Sequence, residues 1–192
     1  MRLAIVEDDD LSRELLTLII RADQAVTAVE AYACAEEALE RLEAFSPEVM
    51  LVDLELPGMP GVELIRRVRS ARPEITLVVV TIFEDRSAVV EAIKAGATGY
   101  ILKGMPAREL MATLRTISGG GASISPRIAR MLLLQLQEDP QQADALTAQE
   151  EIILNESARG MTGLNLAESL GISFDTLQTR ITGIYRKFHT PL

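Results

Sequence analysis

Five short apolar runs, separated by segments of helical period, constrain this chain more than any other feature. The runs are Leu3-Ala-Ile-Val6, the weaker Val26–Tyr32, Val49-Met-Leu-Val52, Leu77-Val-Val-Val80 and Tyr100-Ile-Leu102. They are apolar without strict alternation, as in strands covered on both faces. Between them, apolar residues recur at three- and four-residue spacing, as at Leu11, Leu15, Leu18, Ile19 and Ala22, and at Ala35, Ala38, Leu39, Leu42 and Phe45. Further helical segments are expected at Val62–Ala71, Arg86–Ala95 and Pro106–Ile117, the second stopped by Gly96. Five strand–helix units predict an α/β fold, a five-stranded doubly wound parallel sheet.

After Ile117 the pattern changes. Ser118-Gly-Gly-Gly121 reads as a flexible hinge, and Ser125-Pro126 as the start of a linker helix carrying Ile128, Met131, Leu132 and Leu136. A second break spans Glu138 to Ala143 and includes Pro140. The remainder shows three helical patterns and no strand signal. The expected organisation is an α/β domain over 1–118, a hinge and linker helix over 119–143, and a small all-α domain over 144–192.

Composition excludes several classes. Cys34 is the single cysteine and His189 the single histidine in 192 residues, which excludes a disulfide scaffold and a Cys- or His-rich metal site. No apolar stretch approaches the roughly 20 residues of a membrane span. Arg2 is followed by only four apolar residues before Glu7, so no signal peptide is expected and the protein should be cytoplasmic. The formal net charge of −9 excludes a uniformly basic nucleic-acid coat. The charge is uneven: residues 1–118 hold 20 acids and 13 bases, whereas 144–192 hold six acids and four bases.

Ligands of doubly wound sheets sit beyond the carboxyl ends of the strands. Here those ends carry Glu7-Asp8, Asp53, Thr81 and Lys103. Three carboxylates that close repel one another unless a cation joins them, and a hard divalent ion such as Mg²⁺ takes oxygen ligands. A carboxylate can then act as nucleophile in phosphoryl transfer, with Lys103 and Thr81 placed to meet phosphoryl oxygens. A phosphatase of the haloacid dehalogenase type would need a second Asp two residues after the nucleophile, where Glu55 stands, and its nucleophile would follow the first strand. A nucleotide-binding domain would need a glycine-rich loop where Glu7–Asp10 lies. An inert scaffold is the remaining alternative.

This set resembles the receiver domain of two-component response regulators: Glu7-Asp8 after the first strand, Asp53 after the third, Thr81 after Val-Val-Val, and Gly99-Tyr-Ile-Leu-Lys103. The resemblance implies a flavodoxin-like receiver in which Asp53 accepts a phosphoryl group from a sensor histidine kinase or a small donor. Asp8 would bind Mg²⁺ directly and Glu7 through water, and Asp53 and the Glu55 main-chain carbonyl would complete the metal site. Thr81 would follow the phosphoryl group, and Tyr100 would be the switch aromatic. The protein would be a phosphoacceptor rather than an enzyme, and phosphorylation would either release its output domains or pair them in a homodimer. Glu55 beside the acceptor and Phe83 near the path of hydrolytic water predict a long-lived acyl phosphate.

Leu166-Ala-Glu-Ser-Leu-Gly-Ile-Ser173 followed by Thr176-Leu-Gln-Thr-Arg180 is similar to the helix-turn-helix of NarL/FixJ, or LuxR-type, regulators. Leu177, Ile181, Ile184 and Phe188 recur at helical spacing and face a core. Gln178, Thr179, Arg180, Arg186 and Lys187 are the candidate DNA contacts on the opposite face. The segment departs from the family pattern. Leu164 and Gln178 replace lysines, Ile152 replaces an acid, and Gly183 interrupts the recognition helix. With the sequence ending at Leu192, the family's fourth helix is expected to be missing. Two outputs therefore remain open, control of transcription through DNA and a protein-interaction module that no longer binds DNA. Cys34 and His189 are expected to be a small half-buried residue and a surface or tail residue.

Overall fold

The structure, a computed structural model, describes residues 1–82, 85–122, 124–139 and 145–189. Phe83 and the second break at Pro140–Ala143 lie outside the described residues. The first ten elements alternate: β1 (Arg2–Val6), α1 (Asp10–Arg21), β2 (Ala28–Tyr32), α2 (Ala35–Phe45), β3 (Val49–Val52), α3 (Gly61–Ala71), β4 (Thr76–Thr81), α4 (Arg86–Lys94), β5 (Gly99–Leu102) and α5 (Ala107–Ser118). The sheet order is β2-β1-β3-β4-β5, and every neighbouring pair is parallel. This is the flavodoxin-like order, with its switch point between β1 and β3.

Alternate strand residues feed two apolar layers. Ala4, Val6, Met50, Val52, Leu77 and Val79 pack with Leu42 and Phe45 of α2 and Leu64, Ile65 and Val68 of α3. Leu3, Ile5, Leu51, Val78 and Val80 pack on the other face with Ile20 of α1 and Leu110, Leu114 and Ile117 of α5. Both faces being covered accounts for the unalternated apolar runs.

The period of α1 agrees with the sequence, but the buried face is offset. Ile20 is fully buried and Leu16 and Ile19 pack partly on the core, while Leu11, Leu15 and Leu18 are 75%, 54% and 70% exposed. The helix presents an apolar stripe to solvent because its inner face lies one position further along. The Gly119–Gly121 run, expected as a free hinge, is a hydrogen-bonded turn closing α5. Gly120 N donates to Ile117 O and Gly121 N to Thr116 O, at 3.0 and 3.1 Å, with Gly120 at φ +83°.

Four further helices follow among the described residues: α6 (Pro126–Glu138), α7 (Ala148–Ala158), α8 (Gly163–Ser169) and α9 (Phe174–Phe188). Ser125 caps α6 by accepting from Ile128 N, with Pro126 in the first turn. Thr147 and Glu150 form a reciprocal capping box on α7. Gly171, at φ +64°, turns the chain from α8 towards α9, which Ser173 caps. One apolar cluster joins Ile128, Ala129 and Leu132 of α6 to Ile153, Leu154, Leu166, Leu177, Ile184, Tyr185 and Phe188. Val89 and Ile93 of α4 belong to the same cluster, so the α/β domain and the helical region share a core. No helix among the described residues is long and apolar enough to cross a membrane.

Candidate functional site

The carboxyl ends of β1, β3, β4 and β5 converge. The parallel ladder continues one residue past the strands, because Asp53 N donates to Val6 O at 2.9 Å and Lys103 N to Thr81 O at 3.0 Å. These bonds set Glu7, Asp53, Thr81 and Lys103 side by side. Glu7, Asp53 and Thr81 are buried, whereas Asp8 is exposed at the rim. Asp9 turns the chain into α1 by accepting from Ser12 N at 2.8 Å. Arg13 pins the acidic loop by donating to the carbonyls of Glu7 and Asp8 at 2.8 and 3.1 Å.

Lys103 Nζ bridges the two buried acids, 2.6 Å from Asp53 Oδ2 and 2.7 Å from Glu7 Oε1. Burial works against the ammonium, but its hydrogen bonds to Asp53 and Glu7 outweigh it and hold the Lys103 pKa above its ordinary value. Burial raises the Glu7 carboxyl despite Lys103. Glu7 Oε2 lies 2.6 Å from Nζ in a poor direction for a hydrogen bond and has no hydrogen-bond partner among the described residues. Two buried carboxylates thus share one ammonium, which leaves negative charge in a desolvated place.

Ligand oxygens of Glu7, Asp8 and Asp53 lie within 4.8 Å of one another. An all-oxygen set with one orphaned buried oxygen fits a hard divalent cation. Glu55, whose backbone N approaches Asp53 Oδ1 at 3.3 Å, has an exposed side chain at the same rim. Gly61 opens α3 against the loop that follows β3, where a Cβ would stand 2.0 Å from Asp53 O and 2.8 Å from Leu54 Cα. The close approach of Gly61 to Asp53 depends on how α3 docks, which a sequence pattern does not reveal. Tyr100 on β5 is partly buried and packs against two clusters, that beneath α2 and α3 and that shared with the helical region.

The candidate DNA contacts all fall on α9, but most are engaged within the protein. Lys187 Nζ is 2.5 Å from Glu150 Oε2, and Arg180 donates to Gln149. Glu150 is buried, which opposes its ionisation, yet hydrogen bonds from Lys187 and Thr147 outweigh this and hold its pKa below the usual carboxylate value. The Gln178 side chain lies against Gly121, where a Cβ would stand 2.6 Å from its Oε1. Thr179 is exposed and donates to Asp175 O, one turn back on its own helix. Arg186 is exposed in the cleft between α9 and the α/β domain. His189, expected on a surface or tail, is half-buried in that cleft with a ring nitrogen 3.4 Å from Ala97 O. It follows Phe188 into the domain contact, which the sequence pattern of α9 alone does not reveal. Cys34 is half-buried at the start of α2, as expected.

Comparison with known proteins gives the same outline. Residues 3–115 match the response regulator receiver domain. The response regulator GacA of Pseudomonas aeruginosa is 30% identical over 190 residues, covering 97% of this chain and 89% of its own. A two-component response regulator of the LuxR family from an Aurantimonas species is 28% identical, with a TM-score of 0.64 over 70% of this chain and 96% of its own. The RcsB response regulator of Salmonella typhimurium shares the fold over nearly the whole molecule, with a TM-score of 0.64, 97% of this chain and 92% of its own covered, and 18% identity.

Proposed function

This chain belongs to the response regulator receiver family, as a regulator of the NarL/FixJ type, and we propose that it controls transcription in response to phosphorylation of Asp53. The single observation that carries the proposal is the Lys103 ammonium held between Glu7 and Asp53 beside the Thr81 strand end. In the proposed transfer, an Asp53 carboxylate oxygen attacks the phosphorus of a phosphohistidine on a sensor histidine kinase. The P–N bond breaks, its electron pair returns to the imidazole nitrogen, and an acyl phosphate forms. The incoming phosphoryl oxygens take the Lys103 ammonium as counter-charge and the Thr81 hydroxyl as donor. The chain is a regulator and phosphoacceptor, so the phosphoryl stays on it until hydrolysis.

Glu7, Asp8, Asp53 and the Glu55 main-chain carbonyl are the residues that would hold Mg²⁺. When bound, the ion supplies positive charge against the carboxylates and the transferring phosphoryl group. Receiver 1–118, connecting segment and linker helix 119–143 and output 144–192 is the proposed division, with 119–121 a hydrogen-bonded turn rather than a free hinge. The family match over 3–115 and the all-helical elements that follow α5 support it.

Tyr100 is the proposed route to the output, since it touches both the cluster beneath α2 and α3 and the cluster containing Val89, Ile93 and the α9 residues. Phosphorylation would rotate Tyr100, loosen the α4 contact and free α9, after which Gln178, Thr179, Arg180, Arg186 and Lys187 meet DNA. A phosphorylation-dependent homodimer would present two such helices, and the exposed Leu11, Leu15 and Leu18 offer apolar area for pairing. The pairing of Lys187 with the buried Glu150 favours the alternative, in which the helical region binds protein rather than DNA. Mobility shift with random duplex at low salt separates the two. Retardation by the phosphorylated chain, lost in Asp53→Asn, is expected; no retardation at micromolar protein, phosphorylated or not, selects the alternative.

A further inference from the structure

Where the end of α9 meets the receiver there is a second charged cleft, of about 340 Å³. Arg69 in the last turn of α3, Glu74 and Thr98 line it from the receiver, and Thr182, Arg186 and His189 from the helical side. It lies at the opposite end of the sheet from Asp53. Thr76, which opens β4, is in its wall, and Thr81 closes β4 at the phosphorylation site, about 16 Å away at ~3.3 Å per strand residue.

The cleft gathers positive charge without compensating it. Among the described residues the Arg69 guanidinium donates only to carbonyls, to Pro73 O at 2.5 Å and Gly96 O at 2.7 Å, and its buried Nε has no hydrogen-bond partner. Neither Arg69 nor Arg186 forms an ion pair among the described residues. The carboxylate in the wall, Glu74, is committed to Arg72, with Oε1 2.5 Å from its Nε. Burial, and then the proximity of Arg186, lowers the Arg69 pKa. Burial likewise lowers that of His189, with Arg69 and Arg186 adding to it against the Ala97 hydrogen bond. Like charges brought together at a part-buried junction repel unless an anion joins them. Guanidinium forks suit the paired oxygens of a phosphate, and a half-buried imidazole can add a further donor.

We propose that this cleft binds a multivalent oxyanion of the phosphate class, which bridges Arg69 of the receiver to Arg186 and His189 of the helical region. The site does not require Asp53, and it engages Arg186 only while α9 is docked on the receiver. An anion seated there ties the two regions together, so it stabilises the arrangement in which they touch.

Pyrophosphate is the probe, added without Mg²⁺ and balanced with sodium chloride to constant ionic strength. The unfolding midpoint of the full chain should rise saturably with pyrophosphate, and calorimetric titration should give one site per chain. Arg186→Gln, a change at an exposed side chain, should abolish the rise and weaken binding at least ten-fold, while Asp53→Asn should keep both. Arg69→Gln should also lose binding, with its midpoint in chloride recording any separate loss of the two carbonyl contacts. No saturable rise above chloride, an equal rise in Arg186→Gln, or loss of the rise in Asp53→Asn would each overturn the proposal.

Discussion

At the scale of single residues, chemistry is concentrated where a strand stops. Asp53 is usable because its backbone still belongs to the ladder while its side chain faces Lys103. Gly61 protects that geometry from the other side, and a methyl group there would strike Asp53 O. Gly61→Ala should therefore displace the acceptor loop, and its phosphoryl uptake from a small acyl phosphate donor should fall at least ten-fold. Uptake at the wild-type rate by a folded Gly61→Ala protein would refute that placement. The strand-end residues were legible in the sequence because each directly follows an apolar run, so position and chemistry coincide. Glu150, Arg69 and His189 were not legible in these roles, because their partners lie far along the chain. Lys187 is 37 residues from Glu150, Gly96 is 27 from Arg69, and Ala97 is 92 from His189. Such contacts arise only after helices have docked.

At the scale of elements, periodicity located the helices of the described residues but did not always give the buried face. In α1 the apolar residues occupy more than one stripe, so the pattern alone cannot choose between Ile20 and Leu18. The structure buries the first and exposes the second. Ile20→Ala should cost about 2–5 kcal/mol, whereas Leu18→Lys should change stability by no more than about 0.5 kcal/mol in the monomer. Urea unfolding at dilute protein measures both, and a larger loss from Leu18→Lys would invert the assignment. In α9, Gly183 lies in the helix interior, and a Cβ there would meet only Glu150 Oε1, at an ordinary 3.7 Å. Gly183→Ala should stabilise the helical region by about 1 kcal/mol. An unchanged or lowered midpoint would show that this helix needs its glycine.

At the scale of the whole molecule, the receiver and the helical region are coupled by packing rather than joined by a free hinge. Val89 and Ile93 of α4 enter the core that holds α6 to α9, and Tyr100 lies against it. The net charge of −9, which first argued against nucleic acid, is concentrated in the receiver, where Glu7, Asp8 and Asp53 are part of the proposed pocket. The small charge of the helical region says less than the placement of its bases, since Lys187 and Arg180 have partners inside the protein. The fold was legible because five apolar runs and their spacing allow few topologies. The coupling was not, because the α4 residues that carry it look like any other buried helical face. The central claim is that Asp53 is the phosphoacceptor, and the most direct measurement is intact-protein mass after incubation with Mg²⁺ and a small acyl phosphate donor. The account predicts one phosphoryl group on the wild-type chain and none on Asp53→Asn; a wild-type chain that stays unmodified, or a folded Asp53→Asn chain that gains the same group, would contradict it.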